Sequence, residues 1–188
     1  MNIAEEILEK YSTDHAIAIA TYAASSKARF KELMDCFASD DYRLSQRASW
    51  CVNWAAKKYP NMIAPYTDLL VERLQQPLAN DSVQRNALRI LNDTIIPEKH
   101  HGLLLNSCFA FIEDPKTATA VKAFSLHILR KLSQFYPEIL PELQLIIEDK
   151  FNNETSAFKS AARQVLKRIS NQKTSSKNST PARPSEAY

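Results

Sequence analysis

The sequence of 188 residues contains a single glycine, Gly102, and this scarcity excludes several classes of protein. Loops that bind nucleotide phosphates need glycines, because their backbone must approach the phosphate closely and adopt positive φ angles. P-loop, Rossmann and kinase-type nucleotide sites are therefore excluded. All-β folds are strongly disfavoured for a related reason, since their tight turns depend on glycine.

Cysteines and long apolar runs are also scarce. Cys36, Cys51 and Cys108 are odd in number, show no metal-ligand spacing and each lie in an apolar stretch, which predicts buried free thiols in a reducing compartment. No apolar run approaches the roughly 18 residues of a membrane span, and the first residues lack the apolar core of a signal peptide. We therefore expect a cytoplasmic protein without a metal, a cofactor or a membrane segment.

A repeated amphipathic pattern is the strongest positive signal. In the segment FKSAARQVLKRI, apolar or small residues occupy positions 1, 4, 5, 8, 9 and 12, which form one face of a helix. Similar segments start 38, 38 and 37 residues apart, at Ser45, Val83, Val121 and Phe158. Their fifth position is always small, as a close crossing of helices requires, and is occupied by Ser49, Ala87, Ser125 and Ala162.

A second set of helices and two kinds of turn share this repeat. Apolar positions in the preceding helices recur at steps of 37, 38 and 38 residues, at Leu33, Leu70, Cys108 and Ile146. Between the paired helices lie turn signals whose side chains we expect to cap the next helix: Asp40–Asp41, Asn80–Asp81, Asp114–Pro115 and Asn152–Asn153. Prolines that stop a helix follow the second helix of three units, as Pro60, Pro97 and Pro137. The sequence therefore predicts an all-α stack of helical hairpins.

The pattern of an apolar, a basic and two small residues after an Asp-containing turn resembles HEAT repeats. Val121–Lys122 and Phe158–Lys159 are similar to the start of the second helix in that family, and Asp114–Pro115 is similar to its turn. Gln46 and Gln84 depart from the family's basic residue. The resemblance covers residues 27–170 and implies a right-handed α–α superhelix of four hairpins whose second helices line the concave face.

The two ends of the chain are expected to differ from this body. Residues 1–26 contain two short helical segments, 2–11 and 14–24, with Ser12, Thr13 or Asp14 as the cap of the second. We interpret them as a degenerate repeat that covers the exposed end of the stack. Residues 171–188 have almost no apolar content, and we predict a disordered tail.

Charge is distributed unevenly between the two sets of helices. The predicted second helices, residues 45–58, 83–95, 121–134 and 158–169, hold 12 basic residues and one acidic residue, Asp93, whereas the rest of the body to residue 170 holds 9 basic and 19 acidic residues. Several of these cations suit helix C-termini, but others have no such explanation. We therefore predict a basic ridge on the concave face, with the candidate binding residues Arg47, Trp50, Trp54, Arg85, Arg89, His127 and Arg130.

No arrangement of residues typical of catalysis accompanies this ridge. His100–His101 precede Gly102 in what reads as an exposed turn, and His127 has no nucleophile or carboxylate beside it in sequence. We expect a non-catalytic module that binds an acidic protein partner. Nucleic-acid binding through the same face is the alternative, with arginines on phosphates and tryptophans for stacking. A HEAT-like DNA glycosylase is the minor enzymatic variant, with Asp93 as the acidic candidate.

Overall fold

The computed structural model describes residues 1–76 and 80–177, with side chains through residue 171, and these parts contain no β-strand. The prediction of an all-α fold is confirmed. The α-helices, in chain order, are α1 (Ile3–Glu9), α2 (Thr13–Ala23), α3 (Lys27–Phe37), α4 (Tyr42–Lys58), α5 (Pro60–Ile63), α6 (Thr67–Gln75), α7 (Asp81–Asp93), α8 (His101–Glu113), α9 (Thr119–Leu132), α10 (Leu140–Lys150) and α11 (Ser156–Lys177).

Four antiparallel hairpins form the body of the molecule. They pair α3 with α4, α6 with α7, α8 with α9 and α10 with α11. Helices α1 and α2 pack on both α3 and α4, so they lie at the N-terminal end of the stack. The short α5 connects the first two hairpins.

The second helices of the hairpins form a layer of their own. Helix α4 packs along α7, α7 along α9 and α9 along α11, whereas consecutive first helices contact each other much less. The closer packing of the second helices is what the concave side of a curved stack requires. We call the exposed side of α4, α7, α9 and α11 the second-helix face.

Small buried residues allow this close packing. The fifth position of the repeat is fully buried in all four hairpins, at Ser49, Ala87, Ser125 and Ala162, and the predicted register is therefore confirmed. A larger side chain there would push the neighbouring helix away, because protein interiors leave few voids.

Capping side chains start several helices where the sequence predicts them. The Ser12 hydroxyl accepts from the His15 N–H, the Asp41 carboxylate from the Leu44 N–H and the Asn80 side-chain oxygen from the Val83 N–H. Such caps satisfy N–H groups that have no partner within the helix.

The last two predicted caps are wrong. Asp114 follows α8 and accepts from the Lys116 N–H, while α9 starts at Thr119 after Ala118, which provides no side-chain cap. Helix α11 is capped by the Thr155 hydroxyl, which accepts from the Phe158 N–H, rather than by Asn152 or Asn153. Where a side chain caps a helix, it belongs to the residue directly before that helix, because a side chain at that position reaches the free N–H groups.

The backbone of the described residues explains why the chain needs almost no glycine. No described residue has a positive φ, and Gly102 itself lies within the first turn of α8. Helix α11 passes the predicted boundary at residue 171 and continues to Lys177. Residues 178–188 lie outside the described residues, so the disorder of that part remains a prediction.

Candidate binding surface

Three charged residues form an exposed stripe along α7, in the middle of the second-helix face. Arg85, Arg89 and Asp93 are spaced four residues apart and therefore share one side of the helix. Among residues 1–76 and 80–171, whose side chains the structure describes, neither arginine side chain has a hydrogen-bond or ion-pair partner. The two guanidinium groups of this α7 stripe are therefore available to a ligand.

Arg47, by contrast, is used by the fold. Its guanidinium donates to the Leu8 carbonyl at 2.7 Å and to the Ile7 carbonyl at 3.3 Å, and it lies 5.3 Å from the centre of the Tyr11 ring. These carbonyls belong to the last turn of α1 and have no partner within that helix. Arg47 therefore fastens the N-terminal hairpin to α4.

Two further cations on the second helices bind the end of the preceding second helix. Lys131 of α9 donates to the carbonyls of Leu91 at 3.2 Å, of Asn92 at 2.8 Å and also of Thr94. Arg168 of α11 donates to the Ser133 hydroxyl at 2.8 Å and carbonyl at 3.4 Å. We call these two contacts the cross-repeat clamps. They supply hydrogen bonds and positive charge to helix C-termini, which carry partial negative charge.

Other cations near the C-terminal end of the stack are also paired. Lys122 is buried and its Nζ lies 2.5 Å from Glu154 Oε1, so it joins α9 to the turn before α11. Lys159 donates to the Asn152 carbonyl at 3.2 Å. Four of the twelve cations of the second helices thus connect neighbouring parts of the stack: Arg47, Lys122, Lys131 and Arg168.

The two tryptophans of α4 do not form an open stacking platform. Trp50 is half-buried, and its ring centre lies 4.8 Å from that of Tyr11 in the N-terminal segment. Trp54 is also half-buried, and the Lys57 ammonium lies 5.4 Å from its ring centre. Its indole Nε1 is buried without a hydrogen-bond partner in the part of the chain that the structure describes. Both rings mainly pack against the protein.

A cavity of about 300 Å³ lies between the C-terminal halves of α4 and α7. It adjoins the α7 stripe, since Arg89 and Asp93 form one wall, and Lys57 carries a further positive charge into it. Its full lining is Asn53, Ala56, Lys57, Pro60, Arg89, Ile90, Asp93 and Thr94. This volume is at the lower end of the roughly 300–1,000 Å³ of small-molecule sites, so the cavity suits a single side chain.

His127 and Arg130 of α9 lie on the other side of Asp93. Burial lowers the pKa of His127, the positive charge of Arg130 lowers it further, and the negative charge of Asp93 opposes both effects. Burial also lowers the pKa of Lys131, again opposed by Asp93. Arg130 is half-buried and its Nε has no hydrogen-bond partner among the described residues. Asp93 therefore lies close enough to His127 and Lys131 to affect their pKa values, and its own Oδ1 accepts from Asn92 Nδ2 at 3.0 Å.

The family model described as a HEAT repeat domain matches residues 3–169. The chain belongs to the HEAT repeat domain family. Searches of curated proteins and of solved structures gave no match. The family assignment agrees with the predicted resemblance and extends it toward the N-terminus, because the match starts in α1.

HEAT repeats generally mediate protein interactions, and the family is generally non-catalytic. No helix among the described residues has both the length and the apolar character needed to cross a membrane. Within residues 1–76 and 80–177, no three residues of the His, Cys, Asp or Glu types are grouped closely enough to hold a metal ion.

The histidine pair of this HEAT repeat domain is buried, and the prediction of an exposed turn is wrong. His100 is 8% exposed and its Nε2 donates to Asp68 Oδ1 at 2.7 Å. His101 is 5% exposed, with its ring nitrogens 3.0 Å from the Ile96 carbonyl and 3.1 Å from the Tyr136 hydroxyl. Both histidines connect helices of neighbouring HEAT repeats, a role that depends on residues distant in sequence.

The three cysteines are buried and free, as predicted. Burial raises the pKa of the Cys51 and Cys108 thiols to about 12 and also raises that of Cys36. These thiols stay protonated at neutral pH, which makes them poor nucleophiles.

Sequence reasoning grouped seven candidate residues, and the structure separates them. Arg85 and Arg89 lie on α7, and His127 and Arg130 lie on α9. Arg47 and Trp50 pack against the N-terminal segment, and Trp54 lies beside Lys57. The cavity and Lys57 were missed. The sequence does contain one sign of an irregular junction. When the repeats are aligned, Asp93 occupies the position that holds Lys131 and Arg168 in the next two repeats.

Proposed function

We propose that this HEAT repeat domain is a non-catalytic module that binds an acidic segment of a partner protein through its second-helix face. The observation that supports this most directly is the exposure of Arg85 and Arg89, which have no intramolecular partner among the described residues. The other cations that we have traced to carbonyls or to Glu154 stabilise the stack. A basic pair that the fold does not use is suited to carboxylates of a ligand.

The absence of a hydrogen-bonded nucleophile beside His127 supports a non-catalytic role. Catalysis by a nucleophile and a base needs the two side chains within hydrogen-bond reach, and no described residue hydrogen-bonds to the His127 ring. The buried thiols are consistent with a reducing compartment, and we propose a cytoplasmic location on that basis.

Nucleic-acid binding is the alternative that the same charges allow. Arg85, Arg89 and Arg130 would then contact phosphates. That alternative also needs bases stacked on aromatic rings, and Trp50 already packs on Tyr11. The contacts of Trp50 and Trp54 therefore favour the acidic peptide.

Fluorescence anisotropy with two labelled probes tests the proposal. The first probe is a short peptide that alternates glutamate and alanine, and the second is a single-stranded DNA oligonucleotide. We expect the wild-type domain to bind the peptide, and the variant Arg85→Glu/Arg89→Glu to lose at least about tenfold in affinity, which corresponds to about 1.4 kcal/mol.

The control variant is Lys27→Glu/Lys116→Glu. It makes the same change in net charge at two exposed lysines outside the second-helix face, and we expect it to bind the peptide almost as well as the wild type. Equal losses in both variants would reveal an unspecific effect of net charge. Binding of the DNA but not the peptide, with affinity falling steeply as salt rises, would instead establish the nucleic-acid function.

A further inference from the structure

The cross-repeat clamps reveal an exception at the junction of α4 and α7. Lys131 and Arg168 occupy the same position of the repeat, 37 residues apart, and each binds the end of the preceding second helix. The equivalent position of α7, 38 residues before Lys131, is Asp93. A carboxylate cannot donate to carbonyl groups, so the clamp is missing at this junction.

The cavity lies where the missing clamp would be. Lys131 binds the carbonyls of Leu91, Asn92 and Thr94, and the residues one repeat earlier than Leu91 and Thr94 are Asn53 and Ala56, both of which line the cavity. The opposite wall includes Asp93 itself. Where the later repeats insert their own cationic side chain, this junction leaves an open space.

The lining of the cavity combines hydrogen-bond donors with acceptors. Lys57 and Arg89 are exposed cations, and Arg89 has no partner in the described ranges. Asp93 is an acceptor. The Ala56 carbonyl is a second one, because Pro60, four residues later, has no N–H with which to continue the helical hydrogen bonds. An acidic residue within a peptide matches this set, since it offers a carboxylate together with backbone N–H groups.

We infer that the cavity between α4 and α7 holds one glutamate or aspartate side chain of the partner segment. Lys57 and Arg89 bind its carboxylate, and Asp93 accepts from an N–H of the adjoining peptide backbone. This inference rests on the proposed function and specifies how the acidic segment is held. Charge complementarity selects this occupant, because the cavity lining carries two positive charges and one negative charge.

Asp93 also distinguishes a peptide from a nucleic acid. A phosphodiester has no N–H group to donate and brings negative charge close to the Asp93 carboxylate, so the two repel each other. A peptide satisfies Asp93 with a hydrogen bond. Asp93 thus favours ligands that carry a hydrogen-bond donor next to a carboxylate, as a peptide does.

The variant Asp93→Lys tests this inference by restoring the clamp. A lysine at this position can donate to the Ala56 carbonyl, which is one repeat before the Thr94 carbonyl that Lys131 binds, so we expect the thermal unfolding midpoint to rise. The same lysine fills the cavity, and we expect affinity for the glutamate–alanine peptide, measured by anisotropy, to fall at least about tenfold. If the peptide were held only by long-range electrostatic attraction, its affinity would rise instead, because Asp93→Lys changes the net charge of a basic surface by +2.

Three further variants separate filling of the cavity from a change in charge. Asp81→Lys makes the same charge change in the first turn of α7, away from the cavity, and should bind the peptide at least as well as the wild type. Ala56→Leu fills the cavity without changing charge and should weaken peptide binding. Asp93→Asn keeps the cavity open and should raise affinity for the DNA oligonucleotide.

The outcomes distinguish the inference from the proposed function. If Asp93→Lys and Ala56→Leu bind the peptide as well as the wild type, the inference is wrong, while the proposed function still rests on Arg85→Glu/Arg89→Glu. A midpoint of Asp93→Lys that does not rise shows that position 93 is not a vacant clamp and also overturns the inference. If the wild type does not bind the peptide, the proposed function itself fails.

Discussion

Helices α4 and α7 pack together about as extensively as α7 and α9, but the contacts at the two junctions differ. At the second, Lys131 binds the end of α7, and Asp68 joins Lys99 and His100 on the side of the first helices. At the α4–α7 junction, the cavity takes the place of such a clamp, and the side-chain amides of two buried asparagines bridge the helices. Asn86 Nδ2 donates to Ser49 Oγ at 2.9 Å, and Asn80 Nδ2 donates to Ser45 Oγ at 3.2 Å.

This difference shows how the contacts between neighbouring hairpins vary within a nearly regular stack. Each repeat needs hydrogen-bond partners for the end of its second helix, and a neighbour normally supplies them. At the α4–α7 junction an acid, Asp93, stands where the later repeats have a cation, and a cavity remains beside it. The remaining junctions keep the stack together.

The largest effect is expected at the α9–α11 junction, where Lys122 and Glu154 form a buried ion pair. Lys122→Ala leaves the Glu154 carboxylate without its partner, so the free energy of unfolding should fall by about 3–5 kcal/mol. Urea denaturation followed by circular dichroism measures this change. Lys122→Met/Glu154→Gln removes both charges and should recover part of the loss. If the double variant is no more stable than Lys122→Ala, the unpaired Glu154 carboxylate is not the cause of the lost stability.

The next largest effect is expected for Lys131, which forms a clamp of the α7–α9 junction. Lys131→Ala removes charged hydrogen bonds to the α7 carbonyls and should lower the free energy of unfolding by about 1.5–3 kcal/mol. Arg85→Ala serves as the control, because Arg85 is exposed and its loss should change stability by no more than about 0.5 kcal/mol. Similar values for the two variants would contradict the distinction between structural and available cations.

A smaller effect is expected for the amide bridge of the α4–α7 junction. Asn86→Ala removes the donor to Ser49 Oγ and should lower the free energy of unfolding by about 1 kcal/mol. A double-mutant cycle with Ser49→Ala measures the coupling between the two side chains. Independent, additive effects would show that the bridge does not stabilise this junction.

The smallest effect is expected in the pH dependence of thermal stability. It depends on Asp68 of α6, which contacts Lys99 and His100 just before α8. Hydrogen bonds from Lys99 and then His100 hold the pKa of Asp68 below its usual value. A carboxyl group with a lowered pKa in the folded protein stabilises it above the unfolded pKa of about 3.9, and this contribution disappears as the pH falls through the folded pKa. The thermal midpoints of wild type and Asp68→Asn should therefore converge between about pH 5 and pH 3. If the difference between the two midpoints stays constant over that range, the ionised Asp68 carboxylate does not cause it.

Local signals account for the parts of the fold that were predicted correctly. The recurring small residue and the apolar positions around it placed the helices and their buried faces, because a face with a period of 3.6 residues can be recognised within a single helix. The caps at Asp41 and Asn80 were predicted for the same reason, since a capping side chain bonds to N–H groups two or three residues away.

Contacts between repeats could not be predicted in this way. Arg47, Lys131 and Arg168 bind groups 35 to 40 residues away in sequence, and nothing local identifies those partners. The burial of His100 and His101 likewise depends on helices that lie against them only after folding.

The sequence by itself determined that this protein is a stack of HEAT-like hairpins with a basic set of second helices, because periodicity, turn residues and charge are all properties of short segments. The tertiary structure decided which cations stabilise the stack and which are exposed to a ligand, because that depends on the carbonyl and carboxylate groups that the neighbouring repeat brings within about 3 Å. The position of Asp93 shows both contributions: its repeat register is visible in the sequence, and the cavity beside it exists only between two packed helices.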